Sequence, residues 1–362
     1  MGKIFDNSPV RPGLTNHRFS FLYSDPPGWQ LIWPGLSVIF AGLLGVLTLG
    51  ISLSACTGAP PTPPPAAVTV QLSWTHQAQF AGLYAADQNG DYAAEGLTVT
   101  FVEGGPNLQT ITAVMNHSAQ FGIATADQVL LWRAGGQPVR AIATIYRHIP
   151  RVYIALAESG ITRPQDFVGK TIAVGRNGQP LLDVMMIGLG FSPDQYTVVE
   201  SKPGLAEFYD GRVQVRSVFL TNEVITARLA GYRLNIIYPD DYGIHFYGDT
   251  LFTTDELIST NPELVSRFLR ATLKGWTYVV ENPAEVGPQI LKVNPQADPV
   301  LEIEKMTASL PLINTGQDRL GWSKPEVWAE MDQSMRAQGV LTRPLQVADA
   351  YTLQFLQEIY RP

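Results

Sequence analysis

Trp74, Thr75, His76 and Gln77 sit where one periodicity gives way to another. Before them, Val68, Val70 and Leu72 alternate with Thr69, Gln71 and Ser73 as in a strand. After them, Phe80, Leu83 and Tyr84 recur at the three- and four-residue spacing of a helix, with Asn89-Gly90 as its stop. Open α/β sheets present backbone N–H groups and side chains to ligands at such a junction. Trp74, flanked by polar Ser73 and Thr75, is expected to face a ligand rather than the core, and Phe80 the core. An indole so placed stacks on a flat heteroaromatic ring, worth ~0.5–1.5 kcal/mol beyond area burial. Tyr84, Trp132, Tyr146 and Tyr242 join it as candidates for a large flat ring, and Gln77, Gln79 and Asn107 offer amides to hydroxyls. Asn222-Glu223 sets acceptors beside a donor pair, which suits an N–H and C=O ring edge. The same two residues equally fit a helix start, with Thr221 or Asn222 as cap and Glu223 at the positive end of the dipole. Thr125 and Asp127 follow the short apolar run Phe121–Ala124 at another strand-to-helix junction, with Asp127 as cap or contact. Gly104, Gly105 and Asn107 offer backbone donors or simply a turn. Tyr242, within Asp241-Tyr-Gly243, either reaches the ligand or belongs to a hinge turn.

Other chemistries find little support. Gly169-Lys-Thr171 imitates the end of a phosphate loop, but Pro164 stands where its first glycine belongs. The five histidines (17, 76, 117, 148 and 245) form no His-x-x-x-His or Glu-x-x-His pattern, so no metal site is expected. There is no Gly-x-Ser-x-Gly elbow. The single cysteine, Cys56, allows neither an intramolecular disulfide nor a cysteine-based metal cluster. A formal charge of -7 without any basic run argues against nucleic acid and favours a neutral ligand over a multiply anionic one. No cofactor is implied. The residues point to binding, not catalysis.

The elements that must position these residues alternate. A chain of 362 residues, 45% hydrophobic, holds one or two domains with real cores. Residues 1–55 contain the uncharged stretch Leu36–Ala55, which ends Leu53-Ser-Ala-Cys56 in the pattern of a bacterial lipoprotein signal. Cys56 is then the acylated residue and the mature chain is lipid-anchored at the cell membrane, facing the extracytoplasmic side. The competing reading is a membrane-spanning helix, for which ~20 apolar residues suffice. Residues 56–67 hold five prolines and form an extended spacer of ~3 Å per residue. Strands are then expected at Leu97–Val102, Phe121–Ala124, Val139–Tyr146, Thr171–Val174, Val215–Leu220 and Leu234–Tyr238. Helices are expected at Leu108–Met115, Asp127–Trp132, Leu181–Leu189 and Glu223–Leu229. Such alternation predicts an α/β fold with mostly parallel sheets. Val152–Leu156 is read as leading into a first crossover and Phe246–Thr253 as the return. That gives one lobe of residues 68–157 plus 247–362 and a second of 158–246. Thr260-Asn-Pro-Glu-Leu opens a long helix with Leu264, Phe268 and Trp276 on its apolar face. The remainder is expected to be helical and to pack on the first lobe.

The stretch Gln71–Leu97 resembles the first βα unit of the NMT1/THI5-like solute-binding proteins. Further similar segments follow in order: Glu103–Asn107, Phe121–Ala124, Leu130–Val139, Thr221–Val224, Asp241–Gly243 and Asn261–Trp276. The resemblance runs from about Val68 to the C-terminus. It implies a periplasmic-binding-protein type II fold, two lobes joined by two crossover strands with a ligand cleft between them, closing by a hinge. It implies a receptor working with the permease and ATPase subunits of an ABC importer. Asn222-Glu223 resembles the family's Asn-Glu motif. Ligands implied by the resemblance are riboflavin or the formylaminopyrimidine and hydroxymethylpyrimidine precursors of thiamine. Trp74 is followed by Thr-His-Gln rather than the family's common x-Pro-Asn, which favours riboflavin. The similar pyrimidine synthases carry a cysteine-rich segment that this chain lacks, so an enzyme is not expected.

Overall fold

The computed structural model of the protein describes residues 65–105 and 110–361. The apolar stretch 36–55, Cys56, most of the proline spacer and Asn107 lie outside the described residues. Among the described residues ten strands form two sheets. They are β1 (Ala66–Gln71), β2 (Leu97–Val102), β3 (Phe121–Thr125), β4 (Val139–Thr144), β5 (Arg151–Leu156), β6 (Thr171–Val174), β7 (Thr197–Glu200), β8 (Val215–Phe219), β9 (Leu234–Ile237) and β10 (Asp249–Thr254). The first sheet has the order β2-β1-β3-β10-β4 and the second β7-β6-β8-β5-β9. Both are the same arrangement, although no internal sequence repeat announces it.

In the first sheet β1 runs parallel to β2 and β3, whereas β10 is antiparallel to β3 and β4. In the second, β6 is parallel to β7 and β8, whereas β5 is antiparallel to β8 and β9. The sheets are therefore mixed rather than mostly parallel. The reversed strand in each is the one the chain delivers from the other lobe, with no helical crossover to turn it round. The lobes are joined by residues 145–150 and 238–248. The first crossing thus precedes β5, and residues 151–157 belong to the second lobe, not the first. The run Val152–Leu156 is apolar because it is central in a sheet, and apolarity alone does not say in which sheet. β7 escaped the sequence reading because it is a largely exposed edge strand.

The first lobe packs its opening helix (Ala81–Gln88) against the long helix Pro262–Glu281. A Cβ on Gly82 would fall inside the Trp276 indole, and one on Gly275 would strike the Gly82 carbonyl, so both glycines are required by the close approach. Phe268 stacks on Phe121 at 3.9 Å and on Tyr92 at 5.7 Å. The C-terminal remainder departs from expectation. Helix Pro325–Ala337 buries Trp328, Met331 and Met335 in one core with Leu181, Leu182 and Met185 of the second lobe's helix Gln179–Gly188. The chain then returns to the first lobe, where Tyr351 bridges Ala141. Helical periodicity fixes which face is buried but not which lobe receives it. Among the described residues no helix is long and apolar enough to cross a membrane.

Candidate functional site

The C-terminal ends of β1 and β3 face the loops of the second sheet across a cleft of about 1150 Å³, open mouth included. On the first lobe's wall the chain leaves β1 through Ser73 and Trp74 into a loop pinned at three points. The His76 N–H donates to Glu103 Oε1 at 2.8 Å, Asn294 Nδ2 donates to the His76 carbonyl at 3.2 Å, and the Ala78 N–H donates to Glu302 Oε2 at 2.6 Å. Glu302 is buried and paired with Lys305 at 2.7 Å. This bracing holds Trp74 half-exposed at the cleft while Gln77 and Gln79 are buried into its floor.

Three polar side chains form a chain there. Gln77 Nε2 donates to Gln79 Oε1 at 2.8 Å, and Gln79 Nε2 donates to Asp249 Oδ2 at 2.6 Å. Burial pushes the Asp249 carboxyl up to about 6, against the opposing effects of the Gln79 bond and the Arg151 charge. Asp127, behind the wall, is also raised by burial, and its Oδ1 has no partner.

The second lobe's wall is cationic. Arg151, at the start of β5, lies 4.9 Å over the Phe219 ring and donates to Ser217 Oγ at 3.4 Å. Arg216 is buried, donates to the carbonyls of Lys202 and Gly204, and keeps an unpartnered Nε. Each of these cations has an acid within reach. Arg176 pairs with Glu200 at 3.1 Å and Lys202 with Glu207 at 2.6 Å. Arg216 feels Glu223 and Glu207, and Arg151 feels Asp127 and Asp249. The cleft is charge-compensated, chiefly by acids of the second lobe itself, with Asp127 and Asp249 acting on Arg151 from the first. Gln128 Nε2 already spans it, donating to the Asn177 carbonyl at 3.3 Å.

Of the residues singled out from sequence, Trp74, Gln77, Thr125, Asn222 and Glu223 line this cleft, with Gln79 and Trp132. Asn222 makes no side-chain cap bond, whereas Glu223 accepts the Phe219 N–H at 3.0 Å. Tyr84 does not reach the cleft. It is fully buried, 5.3 Å edge-on to Phe101, with its hydroxyl 2.8 Å from His76 Nδ1. Its helical position turns it to the packed face. Tyr242 is also outside the lining, in the turn Pro239–Tyr242 of the return crossing, so the hinge-turn reading applies. Tyr146 is core, against Trp276. Sequence reasoning missed Asp249, Arg216 and Ser217. Their signal was present: polar and charged residues in strand runs, Arg216 and Ser217 between valines in β8 and Asp249 at the start of β10, which the fold buries.

Two lobes of identical strand order, joined by two crossing segments over a cleft, define the periplasmic-binding fold. The structure of the alkanesulfonate-binding protein SsuA from Xanthomonas axonopodis pv. citri bound to MOPS matches it with a TM-score of 0.64 at 17% identity, over 81% of this chain and 100% of that one. That is a likeness of fold alone. The chain belongs to the NMT1/THI5-like family, whose profile matches residues 77–286. It is 31% identical to the riboflavin-binding protein RibY of Chloroflexus aurantiacus, over 86% of this chain and 98% of that protein. It is 27% identical to the formylaminopyrimidine-binding protein of Halalkalibacterium halodurans, over 79% and 89%. A Legionella pneumophila protein named 4-amino-5-hydroxymethyl-2-methylpyrimidine phosphate synthase is 26% identical over 80% and 92%.

Proposed function

We propose that the protein is the solute-binding subunit of an ABC importer and that its ligand is a heteroaromatic vitamin, riboflavin. Cys56 carries the lipid anchor, and the folded unit works outside the membrane with permease and ATPase partners. The observation that carries the ligand class is the pairing of aromatic rings with an amide-rich, charge-compensated cleft. Trp74 and Trp132 from one lobe and Phe219 from the other supply flat apolar faces. Gln77, Gln79, Asn222 and Asp249 supply hydrogen-bonding groups for an imide edge and a polyol. Compensated charge disfavours a free anion, which would lack a net counter-charge. The extent of the similarity to a riboflavin-binding relative supports the same reading. Trp74, Gln77, Thr125, Asn222 and Glu223 are proposed ligand contacts.

A formylaminopyrimidine is the second reading, supported by the relative of that name, and the two indoles favour the larger ring system. Catalysis of the synthase kind is disfavoured because Cys56 is the sole cysteine. Titration of riboflavin into the protein, followed by flavin fluorescence, tests the proposal. Saturable quenching at one equivalent with micromolar or tighter affinity is expected. An affinity weaker than about 100 µM, with thermal stabilisation by an aminopyrimidine, would transfer the assignment to thiamine-precursor uptake.

A further inference from the structure

The bonds among Gln77, Gln79 and Asp249 have a direction, and one group sets it. An ionised carboxylate only accepts hydrogen bonds, so Asp249 obliges Gln79 to turn its NH₂ inward. The Gln79 carbonyl oxygen then faces Gln77, which spends one of its two amide N–H groups on it. That bond fixes the orientation of the Gln77 amide and leaves its carbonyl oxygen as an acceptor. All three side chains line the cleft, and both glutamines are buried, so water does not randomise the chain. The opposite wall offers donors in Arg151 and Ser217.

We propose that Asp249 acts as a specificity-determining positioning residue: through Gln79 and Gln77 it makes the first-lobe wall an acceptor surface that selects ligands by a hydrogen-bond donor edge, such as an imide N–H. This rests on the reading of the cleft as a flavin site. Protonating Asp249 lifts this constraint and lets the chain reverse. The carboxylic acid then donates to Gln79, Gln79 to Gln77, and Gln77 presents its NH₂ to the ligand. The burial that raises the Asp249 carboxyl brings this reversal into an accessible pH range. The charged and titratable groups that bear on Asp249 are Arg151 from β5 and Tyr146 from the first crossing, while its partner on β3 is Thr125. Arg151 favours the ionised form, and Tyr146 stays neutral throughout because burial raises its hydroxyl.

The test compares riboflavin with N3-methylriboflavin, which lacks the imide N–H, on the full chain. The wild type is expected to prefer riboflavin at least tenfold at pH 7.5, and the preference is expected to collapse toward unity below about pH 5.5. Asp249→Asn is expected to show a small, pH-independent preference, and Gln77→Leu the same with Asp249 intact, which covers failure of the first variant to fold. An undiminished preference in both variants would overturn the proposal. A ligand-free measurement separates it from the functional reading. The side-chain amide ¹⁵N–¹H resonances of Gln77 and Gln79 should titrate together with the Asp249 carboxyl. If riboflavin does not bind yet these resonances titrate, the flavin reading fails and the relay stands; if they do not move, the relay fails whatever binds.

Discussion

The backbone N–H of Ala78 donates to Glu302 Oε2 at 2.6 Å, joining residues 224 positions apart in the sequence. One carboxylate of the C-terminal layer thereby fixes the start of the first helix and the loop that carries Trp74 and Gln77. Lys305 neutralises it at 2.7 Å, and both side chains are almost wholly buried. Removing one partner of a buried pair leaves an uncompensated charge. Lys305→Met is therefore expected to lower unfolding free energy by ~3–5 kcal/mol and to weaken ligand binding, measured by urea denaturation and titration. Unchanged stability would mean that Glu302 is held without its lysine.

Trp74→Ala removes a half-exposed indole from the cleft. Loss of stacking and contact area should cost ~2 kcal/mol, roughly a thirtyfold weaker affinity, with Trp74→Phe recovering most of it. Tyr84→Phe is the contrast. It loses the bond to His76 in the core, so stability should fall by ~1 kcal/mol while affinity changes less than threefold. Titration and thermal melts on the three variants distinguish the two roles.

The stability of the ligand-free protein should carry a mark of Asp249. Its carboxyl lies at about 6 in the fold against 3.8 in its ordinary state. Between those values the folded protein keeps a proton that the unfolded chain has released, so raising the pH removes stability. The difference in unfolding free energy between wild type and Asp249→Asn should decline by ~2.4 kcal/mol from pH 4 to pH 7. A difference that stays flat over that interval would place the carboxyl near its ordinary value.

Gly82→Ala and Gly275→Ala address the close contact between the first helix and the long helix Pro262–Glu281. Each new methyl group has nowhere to go without separating the helices. Losses of ~2–3 kcal/mol are expected despite alanine's better helix propensity. A stabilised variant at either position would show that the helices part at little cost.

Much of this architecture was legible before the structure. β2 and β6 fall where the alternating and apolar runs put them, and helix Glu223–Leu229 has the bounds its sequence suggests. Trp74 and Gln77 were legible because a strand-to-helix junction exposes whatever occupies it. Asp249 and Arg216 carried a weaker mark, a charged residue within a strand run, and for Asp249 the place at the cleft also depends on β10 being carried across from the second lobe. Tyr84 failed for a related reason: spacing puts it on a helix but does not say which side faces the ligand. The location of helix Pro325–Ala337 was hidden likewise, because a buried face can be supplied by either lobe.

The strand order carries a consequence for the growing chain. All five strands of the second sheet lie between residues 151 and 237, whereas the first sheet lacks its fourth strand until residues 249–254 have been made. During synthesis from the N-terminus the later lobe can therefore complete its sheet before the earlier one. Until β10 arrives, β3 and β4 each present an unpaired edge to their surroundings, the kind of surface on which strands of other chains add. The interval of greatest aggregation risk in biogenesis thus lies between the emergence of β4 and the insertion of β10.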